Sequence, residues 1–200
     1  MTTYIPSITI PSQVFLNPSA SILLPVVLGT SIGYATGRAG TQKTYLRLKQ
    51  PPLRPPPWLF GPVWTVLYGL MGYAAYRATF KGLSPFSSPD TIRTTKHTMT
   101  LYTIQLGLNL VWMPLFFAAK LPALATVDIV SLLGVNAYLT YLWHPIDAVA
   151  AYCQIPYLGW LSFATYLCAG VGYLNDWNLH AMHYENTKPP GKKDRETTEI

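Results

Sequence analysis

Charge is scarce in this sequence. Only 11% of the 200 residues are Asp, Glu, Lys or Arg, while 50% are hydrophobic, a balance that excludes an ordinary soluble domain and implies a chain living mostly in lipid. Basic residues are absent until Arg38. The start of the chain therefore has neither the basic opening of a secretory signal nor the arginines of a mitochondrial presequence, and the first apolar segment is expected to be retained. Cysteine is scarcer still. Cys153 and Cys168 fall in one expected helix, about 22 Å apart at 1.5 Å per residue, too far to bridge. The net charge of +6 does not make a nucleic-acid surface, because the basic residues lie in short loops beside apolar runs and not along one face. The sequence also lacks a catalytic Ser/His/Asp set, a CxxC pair and a phosphate loop. His180 and His183, with Asp176 a turn earlier, have the spacing of two metal ligands but no third fixed beside them, so no metal is expected.

Apolar length, by contrast, is plentiful. Five stretches approach the roughly 20 residues that a bilayer crossing needs: about 19–37, 58–76, 98–119, 123–143, and a fifth within 148–175. Lipid offers no partner for backbone N–H and C=O groups, so each must be a helix. The expected fold is all-α, an integral membrane bundle of five transmembrane helices over 19–175, preceded by a segment 1–18 and followed by a polar, disordered tail 176–200. Pro114 is expected to kink the third helix. Residues 81–96, rich in Ser, Thr and Pro, read as a loop. An odd number of spans puts ten of the fourteen Lys and Arg residues on the side of the 38–57 loop and the C-terminus, and the positive-inside bias makes that side cytosolic.

The loop enters the second span through Pro51-Pro52-Leu53-Arg54-Pro55-Pro56-Pro57-Trp58-Leu59-Phe60-Gly61-Pro62-Val63-Trp64. Proline fixes φ, removes a donor and restrains its predecessor, so 51–57 is expected to be a stiff, extended lid with the helix beginning after it. Trp58 and Trp64 suit the depth at which chain leaves water for lipid.

Three of the expected helices carry aromatic faces. Tyr102, Gln105, Asn109, Trp112 and Phe116 recur at helical spacing on the third; Trp64, Tyr68 and Met71 share a face of the second; Tyr157, Trp160, Ala164 and Leu167 share one of the fifth. Aromatic walls with a few donors and acceptors are the composition of a pocket for a large, flat, mostly apolar ligand. Gln105 and Asn109 suit ligand contact and interhelical hydrogen bonding equally well, Tyr102 and Phe116 read as packing, and Asp128 reads as the acid that anchors the fourth helix. Gly29, Gly33 and Gly37 form overlapping small-xxx-small motifs, favouring close approach within the protomer over a homodimer. Arg77-Ala-Thr-Phe80-Lys-Gly-Leu83 has the reversed order of a proposed sterol-contact pattern.

These residues resemble the translocator protein family, also called the tryptophan-rich sensory protein or peripheral benzodiazepine receptor family, from about residue 29 to residue 167. The matching motifs are Pro55-Pro56 with Trp58; Gly61-Pro62-Val63-Trp64 with Leu67-Tyr68 and Met71-Gly72-Tyr73; Gln105-Leu106 with Leu108-Asn109, Trp112, Pro114 and Phe116-Phe117; Val127-Asp128; and Pro156-Tyr157-Leu158 with Trp160 and Phe163-Ala164-Thr165. The resemblance implies a five-helix bundle whose pocket, covered by the first loop, binds porphyrins, haem or other planar apolar molecules for sensing, transport or turnover, with sterol binding in animal members. No cofactor is implied as a requirement.

Expected ligand-binding residues are Trp64, Tyr68, Asn109, Trp112, Tyr157, Trp160, Ala164 and Leu167. An enzyme is not expected, save for light-dependent porphyrin breakdown, in which Trp64 and Trp160 would be the catalytic residues. The implied location is the mitochondrial outer membrane, with the endoplasmic reticulum second. Thr44, Leu53 and Leu124 stand where the family has tryptophans, and Ala169 and Tyr173 replace its fifth-helix sterol motif, so sterol binding in the animal manner is not expected.

Overall fold

The computed structural model describes residues 4–36 and 48–179. Gly37, Arg38, Lys43, Thr44, Arg47, His180, His183 and the rest of the tail lie outside the described residues. Within the described residues all regular structure is helical: α1 (Ser12–Leu16), α2 (Pro18–Ala35), α3 (Pro57–Gly82), α4 (Pro89–Met113), a π-helical turn at Pro114–Ala118, α5 (Pro122–Trp143) and α6 (Ala148–Leu174). Helices α2 to α5 each open on a proline, whose missing N–H falls where the helix has no partner for one. Side-chain caps supply what proline cannot: Asn17 accepts from the Ala20 amide at 3.1 Å, Ser88 from Thr91 at 3.2 Å and Asp147 from Val149 at 3.0 Å.

Five helices are long, as expected, and the short α1 was not anticipated. By length and apolar composition α2, α4 with its π turn, and α5 can cross a membrane. Helices α3 and α6 are as long, at 26 and 27 residues, but carry the Trp, Tyr, Gly and Pro residues that wall the cavity described below.

Several boundaries differ from expectation. Helix α4 begins at Pro89, inside the stretch read as a loop, because Ser88 caps it and Asp90 complements its first-turn dipole. At Pro114, where a kink is expected, the α-helix gives way to the π-helical turn. The proline's missing N–H interrupts the ladder, and a wider turn absorbs the defect, with the Ala119 amide bonded to the Pro114 carbonyl at 2.8 Å. The proline run is not uniformly extended: it turns at Leu53, which has φ 68°, and α3 begins within it at Pro57. That turn lays Pro51 against Gly170 of α6, where a Cβ would sit 2.8 Å from the Pro51 ring, and brings the Pro52 carbonyl to the Tyr166 hydroxyl at 3.1 Å.

Small residues set the packing. The Ser21 hydroxyl donates to the Gly72 carbonyl at 2.7 Å, and a Cβ on Gly72 would collide with the Ser21 carbonyl, so α2 and α3 cross with backbones nearly touching. Met71, Ala74 and Ala78 on α3 are fully buried, as are Leu139 on α5 and Leu161 on α6. The N-terminal segment straps α4: the Ile5 and Ile10 amides donate to the Thr100 and Thr103 hydroxyls at 3.3 and 3.1 Å, and the Phe15 ring meets Tyr102 edge-on at 5.4 Å.

Candidate functional site

The aromatic faces converge on a cavity of about 1260 Å³ at the end of the bundle that bears the proline loop. Helix α3 places Trp64 and Tyr68 there because they lie four residues apart, one turn above buried Met71. Helix α4 contributes Asn109 and Trp112, the π turn after it Phe116, and α6 contributes Trp160, Ala164 and Leu167. Helix α2 makes room. A Cβ on Gly29 would overlap the Tyr68 ring, whereas one on Gly33 would meet nothing within 4 Å. The glycines of α2 thus serve one intramolecular approach and one open stretch of cavity wall.

The floor is a hydrogen-bonded triad across three helices. Tyr68 donates from its hydroxyl to Asn109 Oδ1 at 2.7 Å, and Asn109 Nδ2 donates to the Tyr157 hydroxyl at 2.8 Å. Above it the rings form a cage. Trp64 lies 5.3 Å from Tyr68, and 6.4 Å from Trp160 at an interplanar angle of 86°; Trp112 stacks on Phe116 at 5.3 Å and 17°. The Trp160 indole N–H is buried and makes no hydrogen bond to protein, so the ring presents its carbon faces and edges to the cavity.

Leu48 and Gln50 close the top. Their loop is pinned to the end of α6: the Lys49 amide donates to Asn175 Oδ1 at 3.2 Å, and Asn175 Nδ2 donates back to the Lys49 carbonyl at 2.8 Å. Lys49 and Arg54 themselves are exposed and do not line the cavity.

Of the eight residues expected to contact ligand, seven line the cavity; Tyr157 stands behind the wall, fully buried and reached through Asn109. Gln105 and Tyr102 lie deeper. Gln105 accepts from Asn136 of α5 at 3.3 Å, so of its two readings the interhelical one is realised. Asp128 does not show the anchoring expected of it: its Oδ2 is buried without a hydrogen bond to protein, and the polar links from α5 run from Asn136 to Gln105 and from Thr126 to Cys168 instead. Sequence reasoning missed Leu48, Gln50, Phe60, Ile129 and Leu132. The two α5 residues are plain aliphatics, which no pattern separates from core or lipid-facing positions. Among the described residues no group of three or more His, Cys, Asp or Glu could hold a metal ion.

At the opposite end, away from the cavity, Arg77 and Lys81 of α3 grip Asp147 at the start of α6 through 2.8 and 3.3 Å ion pairs. Burial pushes the Asp147 carboxyl up, but hydrogen bonds from Arg77, the Val149 amide and Lys81 outweigh it and hold the group below the usual carboxylate range.

Fold and site together define a multi-pass helical membrane protein with an internal, aromatic-walled cavity under a loop. Its relatives make the class specific. Residues 21–174 match the TspO/MBR family, and the chain belongs to that family. It is 38% identical over 170 residues to the translocator protein homolog of Schizosaccharomyces pombe, covering 82% of this chain and 97% of the relative. Identity to the Homo sapiens translocator protein is 35% over 150 residues, with 75% and 85% covered. The tryptophan-rich protein TspO of Archaeoglobus fulgidus is 36% identical over 157 residues, with 78% and 95% covered.

Proposed function

We propose that this membrane protein binds porphyrins or similar planar, apolar molecules in the cavity walled by Trp64, Trp112 and Trp160, for sensing, transport or turnover of the ligand. The observation that carries this reading is the cavity itself: about 1260 Å³ exceeds the roughly 300–1,000 Å³ of common small-molecule sites, and the indole rings at its wall favour a broad aromatic guest. Stacking and dispersion supply the attraction. Asn109 in the lining supplies a polar contact, while exposed Lys49 and Arg54 at the loop suit carboxylates that project from the opening. Tyr157 acts through Asn109, holding the floor.

Family membership and the placement of basic loops support a mitochondrial outer-membrane location with the first loop facing the cytosol. Mass spectrometry of small molecules that co-purify with the protein from its native membrane tests the ligand class. A tetrapyrrole enriched over a Trp160→Ala preparation supports the reading; phospholipid alone contradicts it.

The Trp64 and Trp160 rings, 6.4 Å apart, favour a second reading in which light absorbed by bound porphyrin drives its breakdown through the tryptophans. Trp160→Phe should keep most binding and lose the photoproduct; unchanged product formation would sink this reading.

A further inference from the structure

The cavity has a side as well as a top. Among the described residues that line it, every exposed one lies on α2 or α3, including Thr30, Tyr34, Trp58, Gly61, Thr65 and Val66. Tyr34 is 84% exposed and Trp58 71%. The lining residues of α4, its π turn, α5, α6 and the loop are all buried or half-buried. The cavity therefore reaches the surface between α2 and α3.

The packing of these two helices shows where. They run antiparallel, and the Ser21 hydroxyl on α2 meets the Gly72 carbonyl on α3. Two turns further along α2, Gly29 still presses on the Tyr68 ring. Beyond it the contact ends. Gly33 lies twelve residues past Ser21 and Gly61 eleven residues before Gly72, about 18 and 17 Å from that contact at 1.5 Å per residue, so the two glycines stand at one level. A Cβ on either would meet nothing within 4 Å. Glycines on neighbouring membrane helices usually mark the closest approach; here they mark the place where the helices part, with the Tyr68 ring against Gly29 as the sill.

The rim suits an apolar traveller. Thr30 donates its hydroxyl to the Val26 carbonyl at 2.7 Å, and Thr65 to the Gly61 carbonyl at 3.0 Å, so both hydroxyl hydrogens are spent on their own helices. Residues 30–34 form the last turns of α2, which is long and apolar enough to cross a membrane. The gap thus faces lipid at the level where acyl chains give way to headgroups, the depth that exposed Trp58 also suits. A planar ring edged with carboxylates settles at that level, ring inward and acids outward. The top, by contrast, is fastened by the two-way bond between Asn175 and the Lys49 backbone.

We propose that the gap between α2 and α3 at Gly33 and Gly61 is a lateral door, through which the planar ligand passes between the bilayer and the cavity while the loop stays fastened. This rests on the reading that the cavity binds a porphyrin.

A removable bolt across the gap tests it. In the full chain carrying Gly33→Cys and Gly61→Cys, with Cys153→Ser and Cys168→Ser, a bis-methanethiosulfonate reagent bridges the two new thiols through disulfides that a reductant removes. The protein in lipid vesicles is loaded with protoporphyrin IX, bridged, and mixed with empty vesicles that draw off released porphyrin, while tryptophan fluorescence is followed. Bridging after loading should slow release about ten-fold or more, bridging before loading should slow entry similarly, and reduction should restore both. A bridge that merely filled the cavity would speed release. Release that is unchanged or faster in the bridged protein overturns the door and leaves porphyrin binding standing; absence of saturable quenching before bridging overturns the binding reading and the door with it. If the four-fold variant does not fold, Gly33→Leu decides: entry and release both slowed support the door, and release unchanged or faster overturns it.

Discussion

Arg77 and Asp147 meet as a fork: Nε donates to Oδ2 at 2.8 Å and Nη2 to Oδ1 at 3.4 Å. The acid side chain is 1% exposed and the guanidinium side chain 26%. The same carboxylate caps α6 through the Val149 amide, so one residue both starts a helix and holds it to α3. Asp147→Ala should therefore destabilise the bundle by about 1–4 kcal/mol, the upper end reflecting a buried pair broken from one side and the lower end the partial exposure of the cations. Thermal unfolding in detergent checks this, with Arg77→Lys as a milder change that loses the two-point geometry.

The same contact sets a pH dependence. Because the folded carboxyl lies below its ordinary value, its contribution is fully present above about pH 4–5, where the unfolded carboxyl is also ionised, and is lost as pH falls through the lowered folded value. The unfolding temperature of the unmodified protein should drop on acidification below about pH 4, and that of Asp147→Asn should drop less.

Gly72 and Gly33 should respond oppositely to one added methyl. At Gly72 a Cβ meets the Ser21 carbonyl, while at Gly33 it enters open space. Gly72→Ala should cost about 1–3 kcal/mol through forced separation of α2 and α3. Gly33→Ala should leave stability within about 0.5 kcal/mol. Equal effects would contradict the close crossing.

Asn109 is the middle of the floor triad. Asn109→Leu leaves the Tyr68 and Tyr157 hydroxyls buried without their bridging partner, and should cost about 2–5 kcal/mol for the pair. Restoring a small polar group with Asn109→Ser should recover part of it, as measured by thermal unfolding.

Helix number was legible in the sequence because roughly 20-residue apolar runs have few alternatives in lipid. Seven cavity residues were legible because aromatic and polar side chains at helical spacing stand out in an apolar background. What was not legible depended on contacts between distant segments. The turn at Leu53 exists because Pro51 and Pro52 dock on Gly170 and Tyr166, which no local propensity encodes. Helix α4 reached back to Pro89 on the strength of its Ser88 cap and first-turn Asp90, which polar composition had disguised as a loop. An acid such as Asp128 reads as the pairing group of its helix, whereas the polar links from α5 come from Asn136 and Thr126, uncharged and so less conspicuous.

The central claim is that the cavity between Trp64, Trp160 and Ala164 receives a planar apolar guest. Titrating the purified protein with protoporphyrin IX while following tryptophan fluorescence tests it directly, provided that Ala164→Trp, which fills the cavity from α6, is run alongside. Saturable quenching at micromolar porphyrin, weakened about ten-fold or more in Ala164→Trp, a loss of about 1.4 kcal/mol of binding, is the predicted result. No saturable quenching, or equal affinity in the filled variant, would contradict it.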